Sequence, residues 1–414
     1  MSERAASQIT AIPSPSEERV AMRVTPAAER AIRQGHPWLY ADAITRQNHE
    51  AKPGDIAVVF DRKGRFLAVG LYDPNSPIRV KLLQYRDSKP IDGAFFRQRI
   101  QAAADLRAPL TTTNTDGYRL IHGENDGLPG LIVDRYGSVL VMKLYTLAWL
   151  PHLREIVPGL LSIMPAQTLV LRLSRSLQQN LELCYGLKDG SALYGERPEE
   201  PVHFTENGLR FTADVVHGHK TGFFFDQRDN RQRVRKYAAG RHVLDVFAYS
   251  GGFSLYAAAG GAASVLSLDA SAPALEAARA NFALNAEATR IPHQTLVADA
   301  FEGMSSLADQ GKYYDLIIVD PPAFAKRQNE IDTALSAYAT LTRRALTLLS
   351  PGGILVMASC SSRVTADTFY EAVEDAARAA GRPLNIVQRT GHALDHPIGF
   401  AEGAYLKALY ATAG

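Results

Sequence analysis

The spacing of apolar residues divides the chain into three zones. In the first, short runs of β type alternate with turn residues: residues 58–60 and 66–71 flank the turn DRKG, and a further run covers residues 78–83. This pattern is typical of β-hairpins. It predicts a small β-barrel over residues 20–86, with one early helix in PAAERAIRQG, preceded by a flexible Pro/Ser/Glu-rich tail at residues 1–19.

The second zone mixes two periodicities. The segment GAFFRQRIQAAADLRA has apolar residues at helical spacing, and two strand-like runs joined by DRYG follow a loop rich in Gly and Pro. Helical and strand-like patterns in close succession predict an α+β connector domain over residues 87–200.

The third zone, from residue 201 to residue 414, has a regular rhythm. Five short apolar runs, in RHVLDVFAY, ASVLSLDA, HQTLVADA, YDLIIVDPP and GGILVMASCS, alternate with helix-like segments such as APALEAARANFALNA. Alternating strands and helices predict an α/β fold with a doubly wound, mainly parallel sheet. Ligands of such sheets bind beyond the carboxyl ends of the strands, so the residues that end each run should matter most.

Composition narrows the class of protein. No apolar run reaches the roughly 20 residues that cross a bilayer, which favours a soluble protein. Two cysteines, Cys184 and Cys360, are too few for a disulfide scaffold and fit a reducing cytoplasm. The 11 histidines lack the spacing of metal ligands, so we expect no metal site.

Charge is nearly balanced, with 45 basic against 43 acidic residues, and neither requires nor excludes a nucleic-acid partner. One segment, DQRDNRQRVRKYA, is locally basic from Arg228 to Lys236. A solvated helix face and a stripe facing phosphates explain this segment equally well.

The five apolar runs end in four carboxylates and a thiol: Asp245, Asp269, Asp299, Asp320 and Cys360. Packing does not explain this, because a sheet core prefers apolar residues and aligned acids repel one another unless they share a polar ligand. We therefore expect a ligand site at this edge of the sheet.

The turn after the first run indicates which kind of ligand binds at this edge. Gly251 and Gly252 lie in a turn that is neither the G-x-G-x-x-G fingerprint nor a phosphate-binding loop, so a ligand without phosphates is favoured. Asp269 ends the second run, at the sequence distance typical of an acid that accepts hydrogen bonds from the hydroxyls of a ribose. Asp299, at the end of the third run, is suited to accept a hydrogen bond from an adenine amine. S-adenosylmethionine fits this description, although dehydrogenases also use an acid on the second strand.

The fourth run ends in VDPPAF. Two prolines after Asp320 stiffen this loop, so that it can hold a flat base against Phe324. Methylases of exocyclic amines have a related Asn/Asp-Pro-Pro-aromatic arrangement, but Ala323 intervenes here and weakens that interpretation.

Cys360 ends the fifth run between two serines. A free cysteine is most often a small buried hydrophobe, which suits Cys184. At a strand end, Cys360 is better explained as a nucleophile that adds to C6 of a cytosine and thereby activates C5. The site must then favour the thiolate, since a free thiol is mostly protonated at neutral pH.

These segments together, with RAIRQGHPWLYADAI, RLIHGENDGLPGLIVDRYG, GHKTGFFFDQRDNR and AEGAYLKALY, resemble a known family over nearly the whole chain. The chain is similar to the ribosomal RNA cytosine-C5 methyltransferases of the large subunit that carry an N-terminal PUA domain. The resemblance implies a PUA-like barrel that binds RNA and a Rossmann-like domain that uses S-adenosylmethionine to form 5-methylcytosine.

The resemblance also assigns residues. Cys360 would be the nucleophile. Asp320 would remove the C5 proton, directly or through a water, because Ala323 stands where another cytosine-C5 group has a second cysteine. The remaining candidates fall into two groups: Asp245, Phe247, Gly251, Asp269, Asp299, Asp320 and Gln227 for the cofactor, and Lys220, Gly222, Phe225, Arg228 and Phe324 for the RNA substrate.

Three other functions stay open at this point. A sister branch of the family methylates guanine and has the Asp-Pro-Pro loop without the thiol, so Cys360 separates the two. A second alternative is a non-catalytic RNA-binding factor that assists ribosome assembly. A nicotinamide dehydrogenase is the weakest of the three, because the turn around Gly251 suits a dinucleotide poorly. Apart from the dehydrogenase, each of these functions implies ribosomal RNA as the partner. Whether the protein is a monomer or a homodimer stays open.

Overall fold

The computed structural model describes residues 9–414, in two compact units. The first unit comprises the described residues up to Glu206 together with 213–225 and 394–401, and the second comprises 207–212, 226–393 and 402–414. Residues 1–8 of the predicted tail lie outside the described residues. Ile9 and Ile12, also in that predicted tail, are buried in the core of the first unit.

The first unit begins with a six-stranded sheet in the order β2-β6-β5-β4-β1-β3. Its elements are β1 (Val20–Val24), α1 (Pro26–Arg33), β2 (Trp38–Tyr40), β3 (Ile44–Gln47), β4 (Ile56–Phe60), β5 (Phe66–Tyr72) and β6 (Ile78–Tyr85). β4 and β5 form the antiparallel hairpin that the pattern around DRKG predicted. Helix α1 begins as the sequence indicates, because Thr25 accepts a hydrogen bond from Ala28 N–H and Pro26 occupies the first turn.

A five-stranded sheet in the order β11-β10-β9-β8-β7 follows in the same unit. The elements are α2 (Gly93–Arg107), β7 (Gly117–His122), β8 (Leu131–Tyr136), β9 (Val139–Leu144), α3 (Leu153–Ile163), β10 (Thr168–Leu173), α4 (Arg175–Gln178), β11 (Ala192–Tyr194) and β12 (Val202–Glu206). β8 and β9 are the two predicted runs. The turn between them is shorter than predicted, because Asp134 and Tyr136 of DRYG are buried within β8.

Buried ion pairs connect the elements around the five-stranded sheet of the first unit. Arg107 is fully buried and its guanidinium donates two hydrogen bonds to Asp126, at 2.8 and 2.7 Å, and a third to the carbonyl of Asp395. The carboxylate of Asp395 accepts from Arg119 N–H, and the Arg119 guanidinium pairs with Asp134. Residues 394–401, far along the chain, therefore supply hydrogen bonds on which the interior of the first unit depends.

The second unit is built on a seven-stranded sheet in the order β16-β15-β14-β17-β18-β20-β19. β13 (Leu209–Ala213) precedes this sheet and, apart from its last residue, belongs to the same unit. The other elements are α5 (Arg228–Tyr237), β14 (His242–Val246), α6 (Gly252–Ala259), β15 (Ser264–Asp269), α7 (Ala272–Leu284), β16 (His293–Val297), α8 (Ala300–Asp309), β17 (Tyr314–Val319), α9 (Ile331–Leu348), β18 (Leu349–Ser359), α10 (Ala366–Ala379), β19 (Leu384–Thr390) and β20 (Lys407–Ala413).

The five strands from β14 to β18 are mutually parallel, and β20 is antiparallel to both β18 and β19. The predicted doubly wound, mainly parallel sheet is therefore confirmed. Strands β14, β17 and β18 read as continuous apolar runs because helices cover both faces of such a sheet. The predicted domain boundaries at residues 86/87 and 200/201 stay predictions.

Arg107→Ala should lower the free energy of unfolding of the first unit by about 3–5 kcal/mol, because it leaves Asp126 buried without its cation. Both tryptophans, Trp38 and Trp149, belong to this unit, so urea unfolding followed by tryptophan fluorescence reports on it. Arg33→Ala is the matched control: Arg33 is 48% exposed and its loss should change stability by about 1 kcal/mol or less. Equal effects of the two substitutions would contradict this account.

Candidate active site

The structure places the five predicted strand-end residues along one edge of the second unit's sheet. Asp245 is the penultimate residue of β14, Asp269 ends β15, Asp299 lies two residues beyond β16, and Asp320 and Cys360 directly follow β17 and β18. Strands β16, β15, β14, β17 and β18 are neighbours in that order and run parallel, so their carboxyl ends share this edge. This is where an open α/β sheet binds its ligands.

The turn from β14 into α6 has an unusual backbone. Phe247, Tyr249 and Gly251 have positive φ values of 65°, 48° and 75°. For Phe and Tyr this conformation is uncommon and costs about 1–3 kcal/mol, and such strain concentrates at functional sites. A β-carbon on Gly251 would lie 2.8 Å from the β-carbon of Ala278, so glycine is needed here both for its φ and for the close approach of α7.

Asp245 is fully buried and belongs to a chain of polar groups. Its Oδ2 accepts hydrogen bonds from Ser254 N–H and Oγ–H at 2.9 and 2.7 Å. Ser254 Oγ lies 2.6 Å from Ser267 Oγ, which lies 2.9 Å from His293 Nε2. Burial raises the pKa of Asp245 to about 7, although the hydrogen bonds from Ser254 act in the opposite sense. This carboxyl can therefore change its protonation state near neutral pH.

Two buried polar atoms in this turn have no hydrogen-bond partner among the described residues: Asp245 Oδ1 and Ser250 Oγ. Unsatisfied buried polar atoms are rare because each costs free energy. A ligand that brings an N–H or O–H donor to this turn would satisfy them. The turn therefore fits a ligand with an ammonium group.

Asp269 and Asp299 each have a structural role as well as a predicted one. Asp269 accepts from Tyr249 N–H through Oδ2 and from Ser271 N–H through Oδ1. Asp299 caps α8, where its Oδ1 accepts from the N–H groups of Phe301 and Glu302. A carboxylate has about four acceptor positions, so both can still accept from a ligand. Asp269 is half-buried and Asp299 is exposed.

The turn around Cys360 is held in place by its two serine neighbours. Ser359 Oγ lies 2.9 Å from the hydroxyl of Tyr338 in α9, and Ser361 Oγ donates to the carbonyl of Ala325 at 2.7 Å. The Cys360 sulfur lies 4.0 Å from the carbonyl of Pro321. The thiol therefore faces the Asp-Pro-Pro loop that follows β17, and the hydrogen bonds fix the separation of the two segments.

The two cysteines have different surroundings. Cys360 is partly exposed, whereas Cys184 is completely buried. Burial raises the pKa of the Cys184 thiol and so disfavours its reactive form. Phe324, predicted to contact a base, is half-buried and its ring centre lies 5.3 Å from that of Tyr338.

Neither interpretation of the basic segment in helix α5 fits its first two arginines. Arg228 and Arg231 are only 1% and 2% exposed, so these residues form neither a solvated face nor an open stripe for phosphates. Lys236, at the other end of the helix, is exposed. Gln227, just before the helix, is buried and accepts a hydrogen bond from Asn230 at 2.6 Å.

Lys220, Gly222 and Phe225 belong to the first unit. Lys220 is exposed, with its ammonium 4.3 Å from the ring centre of Phe224. Gly222 has φ 132°, which explains the glycine, and the buried ring of Phe225 lies 4.9 Å from that of Tyr136.

Sequence reasoning missed several residues that shape the second unit's site: Ser250, Ser254, Tyr338 and Lys407. For Lys407 a signal existed, because it is a lone charge in the otherwise apolar run YLKALYATA. For the others no local pattern distinguishes a serine or tyrosine that bonds to the site from one that faces solvent.

A groove of about 820 Å³ lies elsewhere on the second unit and is lined by residues such as Ser264, Leu266 and Thr295. None of the five strand-end residues lines it. Over residues 9–414, no helix is long and apolar enough to cross a membrane, and no cluster of His, Cys, Asp and Glu side chains is arranged to hold a metal ion.

Comparison with known families and proteins gives a consistent result. A family of S-adenosylmethionine-dependent methyltransferases matches residues 119–411, and a PUA-like domain family matches residues 22–85. A Deinococcus radiodurans protein named ribosomal RNA large subunit methyltransferase is 50% identical over 403 residues, which cover 96% of this chain and 98% of the relative. The ribosomal RNA large subunit methyltransferase I of Photobacterium profundum is 38% identical, with coverages of 92% and 96%.

Two solved structures have the same fold. A Streptococcus mutans protein superposes with a TM-score of 0.79 at 22% identity, covering 95% of this chain and 99% of its own. A second protein, crystallised in complex with SAH, gives a TM-score of 0.80 at 23% identity with the same coverages. At these identities the likeness concerns the fold alone.

The raised pKa of Asp245 predicts how stability depends on pH. Because the folded-state pKa, about 7, lies above the ordinary value of 3.8, protonated Asp245 favours the folded state. This contribution is complete below pH 3.8 and is lost as the pH rises through about 7, a change on the order of 4 kcal/mol. Asp245→Asn should remove it.

The measurement is urea unfolding of the ligand-free protein, followed by circular dichroism from pH 4 to pH 8. Asp375→Asn, at an exposed position, should keep the wild-type profile. An Asp245→Asn profile as steep as that of the wild type would show that another group is responsible.

Proposed function

Because the chain belongs to the S-adenosylmethionine-dependent methyltransferase family, we propose that it methylates C5 of a cytosine in large-subunit ribosomal RNA. The observation that carries the cytosine-C5 assignment is the position of Cys360, a partly exposed thiol beside the Asp-Pro-Pro loop. The names of the relatives support ribosomal RNA as the substrate, and the PUA-like domain supports a protein that grips RNA.

The cofactor-binding residues are assigned by their chemistry. The free Oδ1 of Asp245 accepts from the α-ammonium group, Asp269 from the ribose hydroxyls, and Asp299 from the adenine amine. Phe247, Gly251 and Gln227 complete the pocket. The strained turn from β14 to α6 is preorganised for this purpose, because it holds its backbone in place before the cofactor arrives.

The reaction begins when the thiolate of Cys360 adds to C6 of the cytosine and forms an Sγ–C6 bond. The electron pair of the C5–C6 double bond shifts onto C5, where C4 and N3 share it, and this makes C5 nucleophilic. C5 forms the new bond to a methyl group that bound S-adenosylmethionine would supply as an electrophile. The S–CH3 bond would break with its electron pair staying on sulfur, leaving S-adenosylhomocysteine. Asp320 then takes the C5 proton, directly or through a water; the released electron pair restores the double bond and expels the thiolate.

The target base has to leave its stack to reach Cys360, at a cost of a few kcal/mol unless it is unpaired. Phe324, beside the loop, is a candidate for stacking on that base. Of the four other residues predicted to contact RNA, Lys220 is the exposed cation, whereas Gly222, Phe225 and Arg228 are buried.

Cys360→Ala should abolish methyl transfer and leave S-adenosylmethionine binding unchanged, because the thiol acts on the base alone. The test is nucleoside mass spectrometry of unmodified ribosomal RNA incubated with labelled S-adenosylmethionine, with binding measured by calorimetry. Cys184→Ala should retain activity. Label in a guanine, or equal label with and without Cys360, would contradict the proposal, and absence of label from the wild type on both naked RNA and precursor particles would favour an assembly factor.

Asp320→Asn should block the last step, because an amide does not remove the C5 proton. We expect a covalent protein–RNA adduct that survives denaturing electrophoresis and carries the labelled methyl group. The double variant Asp320→Asn with Cys360→Ala should form no adduct, and Asp299→Asn should turn over without trapping one. Wild-type turnover by Asp320→Asn would assign the proton to another base.

A further inference from the structure

A lysine reaches the Cys360 turn from the closing strand of the sheet. Lys407 is the first residue of β20, which pairs with β18, and its strand partner is Ser359, immediately before Cys360. Its side chain is buried, with only 3% of the residue exposed. A lysine here is unexpected on packing grounds, because burial of an ammonium group costs free energy.

The ammonium group of Lys407 bonds to the backbone that follows Cys360. It donates to the carbonyl of Ser361, to that of Val364 at 2.6 Å, and to that of Tyr405 at 3.2 Å. All three donors of the ammonium group are thus used on carbonyl oxygens. These bonds orient the turn, and over residues 9–414 they involve carbonyl oxygens and no carboxylate.

The charges of Lys407 and Cys360 are coupled. Burial lowers the pKa of Lys407 to about 8, and a negative charge on Cys360 acts in the opposite direction and favours the ammonium form. Such coupling is reciprocal: a thiolate that stabilises the ammonium is stabilised by it to the same extent.

Three other titratable side chains, those of Asp320, Tyr338 and Tyr410, do not supply a positive charge. Asp320 is an acid, so the only charge that it can carry is negative. Burial raises the pKa of Tyr338 to about 12, so its phenol stays neutral at the pH of the reaction. Burial also raises the pKa of Tyr410 on β20, with the same consequence.

We propose that Lys407 is a positioning residue for Cys360: its ammonium group fixes the turn through the carbonyls of Ser361 and Val364, and its charge stabilises the thiolate relative to the thiol. The proton that Cys360 loses passes to solvent. The use of that thiolate rests on the proposed function, but its formation can be measured without RNA or cofactor.

The experiment measures the rate at which iodoacetamide alkylates Cys360 in the full-length protein as a function of pH. A Cys184→Ala background leaves one thiol, and mass spectrometry of the peptide gives the extent of reaction. Lys407→Gln keeps hydrogen-bond donors and removes the charge, so it should raise the midpoint of the profile by about one pH unit or more. Reactivity at neutral pH should fall by about tenfold.

Three further variants separate charge from structure. Lys407→Arg keeps the charge and should restore much of the reactivity, whereas Lys407→Met should shift the midpoint at least as far as Lys407→Gln. Lys236→Gln removes an exposed lysine of α5 and should change nothing. Thermal melting identifies the variants that stay folded.

An unshifted midpoint in folded Lys407→Gln would overturn the inference, even if wild-type protein methylates cytosine through Cys360. A shifted midpoint that Lys407→Arg reverses would support it, even if nucleoside analysis placed the methyl group on another base. The two hypotheses therefore fail separately.

Discussion

The parallel hydrogen-bond ladder of the second unit decides where every group of the candidate site lies. In this ladder Asp245 of β14 pairs with Ser267 of β15, and Ser254 bonds to both. A shift of one residue in a strand turns all its side chains to the opposite face. A slip of β14 would therefore separate Asp245 from the serines and the turn at once. The same register brings residues from five separate segments of the chain to a single edge.

Two buried arginines of the first unit and two buried ionisable groups of the second have different partners. In the first, Arg107 and Arg119 each pair with a carboxylate, so that neither charge is left alone in the interior. In the second, Asp245 bonds to a serine and Lys407 to carbonyl oxygens, and burial shifts the pKa of each toward neutrality. Paired charges fasten a structure, whereas shifted pKa values are typical of groups that act on a ligand or a reacting atom.

The sequence predicted the architecture well because its signals are local. Alternation of apolar runs and helical segments indicates a parallel sheet, and only a few strand orders are compatible with such an alternation. The strand-end positions of Asp320 and Cys360 were predicted for the same reason: each residue directly follows an apolar run. Lys407 was missed because its importance depends on the pairing of β20 with β18, a contact between distant segments.

The sequence also did not predict which polar residues are buried. The basic segment from Arg228 to Lys236 looks uniformly polar, and only the packing of α5 shows that Arg228 and Arg231 are internal. The positive φ values of Phe247 and Tyr249 also have no local signature, since neither residue favours that conformation.

The return of residues 394–401 to the first unit has a consequence for biosynthesis. Arg107 and Arg119 donate hydrogen bonds to Asp395, so the interior of the first unit is incomplete when Glu206 has been made. About 190 more residues must be translated first, which takes roughly 10–40 s at 5–20 residues per second. During that interval the nascent chain exposes polar groups that the finished protein buries. Translation rate, rather than intrinsic folding speed, would then set the earliest time at which this half of the molecule matures.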